Sequence, residues 1–196
     1  MTNHEEQEDS KLPPDVAQLE TALTLHDGST IRMRAIRPED DERLRAFHSH
    51  LSPDSIMFRF FHFLPELPSE DAAHFTHVDY LDRMALIATT GEGQAEEILG
   101  VVRYDRIGEV TAEVAFVVLD RWQGHGIATV LLHRLASYAR TKGFTTFIAI
   151  TMGNNARMIE VLRNAGFPWK AQYSDGTLEV ALDISEPPAI PDFMRQ

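Results

Sequence analysis

Residues 113 to 132 read EVAFVVLDRWQGHGIATVLL. The string opens with a short apolar run, Val114 to Leu119, of a length that suits a buried strand. A polar turn follows, Asp120-Arg121-Trp122, and then Gln123-Gly124-His125-Gly126-Ile127-Ala128. Ile127, Val130, Leu131, Leu135 and Tyr138 then recur at spacings of three and four, the period of a helix. The order is therefore strand, glycine-rich turn, helix. Free backbone N–H groups at a helix start attract anions, and glycine lets the backbone come close because no Cβ intervenes. The turn reads as a pyrophosphate site. It lacks the G-x-G-x-x-G of dinucleotide-binding folds and the Gly-Lys-Ser/Thr of a P-loop.

Outward from this stretch, the chain alternates strands and helices. Thr21 to Leu25 and Thr30 to Ala35 flank His26-Asp27-Gly28-Ser29, a hairpin signal. Arg37-Pro38-Glu39-Asp40-Asp41 opens a helix whose inner face is Leu44, Phe47, His48 and Leu51. Ser52-Pro53-Asp54 starts a second, with Ser52 as cap. Residues 56 to 64, IMFRFFHFL, are apolar on nearly every side and read as core; the functional alternative is a wall of an acceptor pocket or a docking surface. Ser69-Glu70-Asp71 begins a short helix. Met84 to Thr89, Ile98 to Tyr104 and Glu113 to Leu119 are strands joined by short loops, as in an antiparallel meander. The helix after the glycine turn stops near Lys142-Gly143, and Phe144 to Ile150 is the next strand, which makes a parallel crossover. Asn154 to Ala165 is a further helix and Thr177 to Ile184 a closing strand. The expected fold class is α/β with a mixed sheet, mostly antiparallel with one parallel β-α-β unit.

Composition narrows the function. The chain has 196 residues, enough for one domain with a sizeable core, and no cysteine, which removes thiolate metal sites and a cysteine nucleophile. A net charge of −12 argues against nucleic acid and favours cationic acceptors such as a lysine side chain or a polyamine. No apolar run approaches a membrane span, and the acidic, polar N-terminus does not resemble a secretory signal, so a cytoplasmic protein is expected. Residues 1–18 are expected to form a disordered acidic tail, with Pro13-Pro14 blocking a helix, and 186–196 a flexible C-terminal tail around a domain at 19–185. His48, His50, His74 and His77 lack the pattern of a metal site, and none is expected.

Gln123-Gly124-His125-Gly126-Ile127-Ala128 fits Q/R-x-x-G-x-G/A and resembles the acyl-CoA pyrophosphate loop of the GNAT N-acetyltransferase family. Asn155-Ala156-Arg157-Met158 and Gly166-Phe167 are similar to that family's N-x-x-M and G-F segment. The resemblance covers about residues 28 to 184 and implies the GNAT fold with acetyl-CoA as co-substrate. It places Phe116, Val117 and Val118 beside the pantetheine arm, the amides of Gln123, Gly124, His125, Gly126, Ile127 and Ala128 on the pyrophosphate, and Asn155 on the cofactor arm. Asn155 also reads as a helix N-cap. His125 departs from the Arg or Lys of many relatives.

Acetyl transfer to an amine needs a positioned thioester, a base for the ammonium proton, and help for the leaving thiolate. Ala112-Glu113-Val114-Ala115-Phe116, Leu51-Ser52-Pro53 and Phe58-Arg59-Phe60-Phe61 resemble the Pat-type protein lysine acetyltransferases, in which the acid at Glu113 is the catalytic base. Many GNAT enzymes place a tyrosine acid seven residues after the family asparagine; here that residue is Leu162, and Tyr138 and Tyr173 are poor substitutes. The resemblance implies direct transfer in a ternary complex to a protein lysine, with an acyl-CoA synthetase-like enzyme among the candidate partners. The alternatives are a small amine acceptor, such as a polyamine or amino-sugar, and a non-catalytic acyl-CoA sensor.

Overall fold

A computed structural model describes residues 12–25 and 28–189. Eight strands form one sheet: β1 (Thr21–Thr24), β2 (Thr30–Ala35), β3 (Arg83–Thr90), β4 (Glu97–Arg106), β5 (Thr111–Val118), β6 (Thr146–Met152), β7 (Trp169–Ser174) and β8 (Thr177–Asp183). Their order is β1-β2-β3-β4-β5-β6-β8-β7. The first five pair antiparallel in chain order; short connections join β1 to β2 and β3 to β4 to β5, whereas residues 36–82, which carry three helices, separate β2 from β3. β5 and β6 are parallel, and the helix between them, Ile127–Thr141, is the crossover. The mixed α/β sheet expected from the sequence is the one observed. His26 and Asp27, in the expected first hairpin turn, lie outside the described residues.

The remaining helices are α1 (Pro14–Ala17), α2 (Asp41–Ser49), α3 (Pro53–Phe60), α4 (Ser69–Thr76) and α6 (Ala156–Asn164), with the crossover as α5. Local chemistry sets their starts. Ser52 Oγ accepts the Ser55 N–H at 3.2 Å, and Pro53 holds the first position of α3, where its missing N–H is no loss. Asn155 Oδ1 accepts the Met158 N–H at 3.2 Å and caps α6.

Helices cover both sheet faces, and β4 is buried from Ile98 to Tyr104. Its alternation sends Gly100, Val102 and Tyr104 toward α5, where the Tyr104 ring packs on Phe144 and Phe147. Val101 and Arg103 turn to the opposite face, beside Leu44 and Phe47 of α2. One buried ion cluster fastens this side. Arg34 makes a two-pronged contact with Asp40, 2.7 Å on each arm, and a second with Glu96 at 2.8 and 3.1 Å. Burial works against the charge of Arg34, but the hydrogen bonds it donates to both carboxylates outweigh this and raise its pKa.

Three expectations need correction. Pro13-Pro14 does not block a helix: Pro14 occupies the first position of a single turn, Pro14–Ala17. That turn places Val16 in the core at 1% exposure, a burial that contributes about 1.5–3 kcal/mol. Residues 12–18 are thus tied to the domain, while 1–11 lie outside the described residues. At the other end, Ala189 N–H donates to Gly166 C=O at 3.0 Å, and 190–196 lie outside. Second, β7 was not expected. All six of its residues are exposed at the sheet edge, so no alternation marks it in the sequence. Third, residues 56–64 are mostly not core. Ile56 is buried, but α3 stops at Phe61 (φ +62°), and Phe61 and Phe63 are exposed. The other reading, a pocket wall, is the one the geometry favours.

Candidate active site

Pairing between β5 and β6 covers three levels, Thr111 with Thr146, Ala112 with Phe147 and Glu113 with Ile148. β5 continues to Val118 and β6 to Met152, so the strands part just beyond Glu113. The opening exposes backbone groups. Leu119 N–H donates to Leu99 C=O at 2.8 Å, and an antiparallel ladder alternates. The amides of Val117 therefore turn to β4, and those of Phe116 and Val118 turn to the opening. Val118 C=O accepts the Gln123 side-chain amide at 3.0 Å.

A cavity of ≈ 360 Å³ occupies the opening. Glu113, Ala115 and Phe116 line it from β5, Ala149, Ile150 and Thr151 from β6. Phe58, Arg59 and Phe61 close one side, and Met158 of α6 contributes another. The aromatic run of α3 thus forms a wall beside Glu113.

At the far end of β5 the glycine turn is braced from three directions. The Asp120 carboxylate accepts the Ser52 N–H at 3.0 Å, Ser52 Oγ at 2.7 Å and Ser55 Oγ at 2.9 Å, which ties the turn to the start of α3. Burial alone would raise its pKa, but these hydrogen bonds prevail and hold it below the usual value. Gln123 Nε2 reaches Ser55 Oγ at 3.2 Å, and its Oε1 accepts Arg157 at 2.6 Å. Gln123 N–H already donates to Asp120 C=O at 3.3 Å, so this residue fastens the turn more than it offers an amide. His125 Nδ1 lies 3.1 Å from Gln123 C=O, and its ring packs on Trp122.

Gly124 (φ +83°) and Gly126 (φ +82°) both adopt the left-handed backbone, and a Cβ built on either meets no atom within 4 Å. The surface outside them is open to a ligand. α5 begins at Gly126 with no side-chain cap and no acid in its first turn. The amides of Ile127 and Ala128 thus carry the partial positive charge of a helix start toward that surface. These features fit a pyrophosphate. Asn155, 7% exposed, is engaged as the cap of α6 and does not line the cavity.

Glu113 is exposed at the last paired level, opposite Asp105 of β4. Arg59 shares its cavity and has no ion-pair partner among the described residues; its guanidinium lies 5.0 Å from the Phe60 ring. Burial lowers its pKa to about 10, the like charge of Arg103 adds to this, and Asp105 and Glu113 oppose it. Arg103, 5% exposed, bonds Asp105 at 3.3 Å and lies 4.5 Å from the Phe75 ring. Sequence reading missed Arg59 as a site residue, although the Phe58–Phe61 string was visible; nothing local marked Thr151.

Among the described residues no tyrosine lines the cavity. Leu162 is 1% exposed, in the core. Tyr138 is buried and donates to Tyr80 C=O at 2.5 Å, and burial raises its pKa. Tyr173 is exposed on β7, with its ring against Gly153. Among the described residues no group of three or more histidines and carboxylates could hold a metal, and no helix is long and apolar enough to cross a membrane.

Comparison with known proteins agrees with this geometry. Residues 38–167 match the acetyltransferase (GNAT) family. An acetyltransferase of Pseudomonas aeruginosa is 31% identical over 156 residues, which cover 79% of this chain and 83% of the relative. Acetyltransferase Pat of Mycolicibacterium smegmatis is 28% identical over 144 residues, 72% of this chain but 42% of Pat, so this chain matches less than half of that protein. The crystal structure of the GNAT domain of S. lividans PAT superposes with a TM-score of 0.80 at 38% identity, covering 88% of this chain and 99% of that domain. With a family match over most of its length and this fold, the chain belongs to the GNAT acetyltransferase family.

Proposed function

We propose that the protein moves acetyl from acetyl-CoA to the side-chain amine of a protein lysine in the cytoplasm, by direct transfer within a ternary complex. The observation that carries this reading is the parting of β5 and β6 immediately beyond Glu113. It leaves a slot with unpaired backbone on one strand, a glycine turn at one end and a carboxylate at the other. The amides of Gly124 to Ala128 would hold the pyrophosphate at the start of α5. The backbone of Phe116 and Val118 would pair with the pantetheine amides, and Val117 would contribute apolar contact. Asn155 would act by fixing the start of α6.

Glu113 takes the proton of the incoming ammonium, directly or through one water, so that a neutral amine can attack. Its exposure at the mouth of the cavity leaves it open to an acceptor from solvent. Phe58 and Phe61 provide an apolar wall for the methylene stem of a lysine. The acidic chain favours a cationic acceptor segment. Similarity to the GNAT domain of S. lividans PAT supports the Pat-type reading, and with it an acyl-CoA synthetase-like enzyme as a candidate acceptor.

The test is transfer of labelled acetyl to cell proteins and to free amines, with wild type and Glu113→Gln. The variant should bind acetyl-CoA as wild type does and lose roughly 10²- to 10⁴-fold in kcat near neutral pH. Base-stable label on protein supports the lysine reading. Label confined to polyamines or amino-sugars would replace it with a small-amine enzyme, and unchanged turnover in Glu113→Gln would remove the base assignment.

A further inference from the structure

One residue in the wall of the cleft carries a buried hydroxyl with no hydrogen-bond partner among the described residues. Thr151 is 2% exposed and lines the cavity, and its Oγ1 makes no hydrogen bond among the described residues. Buried hydroxyls are nearly always bonded, so a lone one beside a ligand cavity asks for a ligand atom. The parallel register fixes its level. Glu113 stands opposite Ile148, so Thr151 comes level with Phe116, a β5 residue with backbone turned to the opening. Alternation fixes its side. Phe147, Ala149 and Thr151 are buried on one face, that of Tyr104 and α5, whereas Glu113 and Ile150 are exposed on the other. Leu162 of α6 occupies the family's tyrosine position and is buried.

We propose that Thr151 Oγ1–H donates a hydrogen bond to the sulfur of the acyl thioester and of the thiolate that leaves. This rests on the transfer reading above. The base and the sulfur donor then work from opposite faces of the parted strands. Glu113 first passes the ammonium proton to solvent; the amine lone pair then forms the N–C bond, and the second nitrogen proton passes to the Glu113 carboxylate. The C–S bond breaks with its electron pair on sulfur. The thiolate accepts the Thr151 hydrogen bond and later takes a proton from water, while Glu113 returns its proton to water. Thr151 itself transfers no proton, so its role is electrostatic, at the place where charge develops.

The test compares wild type, Thr151→Val and Thr151→Ser in the full chain. Valine keeps the shape and removes the hydroxyl; serine keeps the hydroxyl. Binding of CoA and of desulfo-CoA, which lacks the sulfur, is measured from neutral to alkaline pH, together with kcat for acetyl transfer. Wild type should prefer CoA over desulfo-CoA roughly 10-fold or more once the thiol ionises, as a hydrogen bond to a charged group would give. Thr151→Val should bind desulfo-CoA normally, lose the preference, and fall roughly 10- to 100-fold in kcat; Thr151→Ser should restore most of both. Three results overturn the proposal: no preference in wild type, a preference that survives in Thr151→Val, or equal weakening of both ligands. A sulfur preference that depends on Thr151 without acetyl transfer by wild type would count against the transfer reading and leave the contact standing.

Discussion

Gly126→Ala separates strain from ligand approach. Gly126 sits at φ +82°, and the left-handed backbone costs an L-residue roughly 1–2 kcal/mol. Alanine also loses less freedom on folding, which returns about 0.4–1 kcal/mol. A Cβ at this position touches nothing within 4 Å, so no steric penalty is added in the free protein. The net cost is about 1 kcal/mol, and for a chain of this size that lowers Tm by roughly 2–4 °C. Gly143 provides the control. It has φ +85°, an equally open Cβ position, and lies beyond the other end of α5, roughly 22 Å along the helix. Gly143→Ala should lose the same stability. Only Gly126→Ala puts a methyl on the surface that a pyrophosphate must approach, so only it should weaken CoA, by roughly 10-fold or more in Kd, or at least about 1.4 kcal/mol. Thermal unfolding and calorimetric titration with CoA read the two quantities independently. Equal Tm losses with unchanged CoA affinity in both variants would refute the pyrophosphate cradle.

The other predictions concern what holds the site in place. Asp40→Ala leaves Arg34, whose side chain is 6% exposed, with Glu96 as its remaining carboxylate and should cost about 3–5 kcal/mol in urea unfolding; a loss below 1 kcal/mol would mean that the cluster relaxes around the gap. Asp120 is depressed below its unfolded pKa near 3.9, so its stabilising contribution is complete above that pH and disappears as pH falls through its lower folded value. Asp120→Asn should therefore reduce stability at pH 7 and flatten its decline in that acid range; an unchanged acid limb would exclude the Ser52–Ser55–Asp120 bracket as a folded-state contact. Val16→Ala, which empties a fully buried position, should destabilise by about 1–2 kcal/mol, and no change in Tm would show that the turn at Pro14 does not pack in solution.

Much of the frame was legible because its causes are local. Val114 to Leu119, Gly124, Gly126 and the helical period from Ile127 lie within one short string, and the observed strand, turn and α5 follow it. Ser52 and Asn155 cap their own helices from a few residues away. Short connections made β1–β2 a hairpin and β3 to β5 a meander, and the helix between β5 and β6 allowed them to be parallel. Strand β7 gave no signal, because an edge strand exposed throughout has no buried face to impose alternation.

By itself, then, the sequence determined the order of elements, the glycine turn and the acid at Glu113, through spacing and backbone preference acting over a few residues. Tertiary structure decided what those residues face. Arg34 and Glu96 stand 62 positions apart and meet only when β2 pairs with β3 and brings the β3–β4 connection beside it. The aromatic run of α3 becomes a wall and not core because β5 and β6 part beneath it. Among the described residues Arg59 has no carboxylate at ion-pair distance and Thr151 no hydrogen-bond partner beside this opening. Burial and partnership depend on distances between segments remote in the chain, and those distances exist only after the sheet has formed.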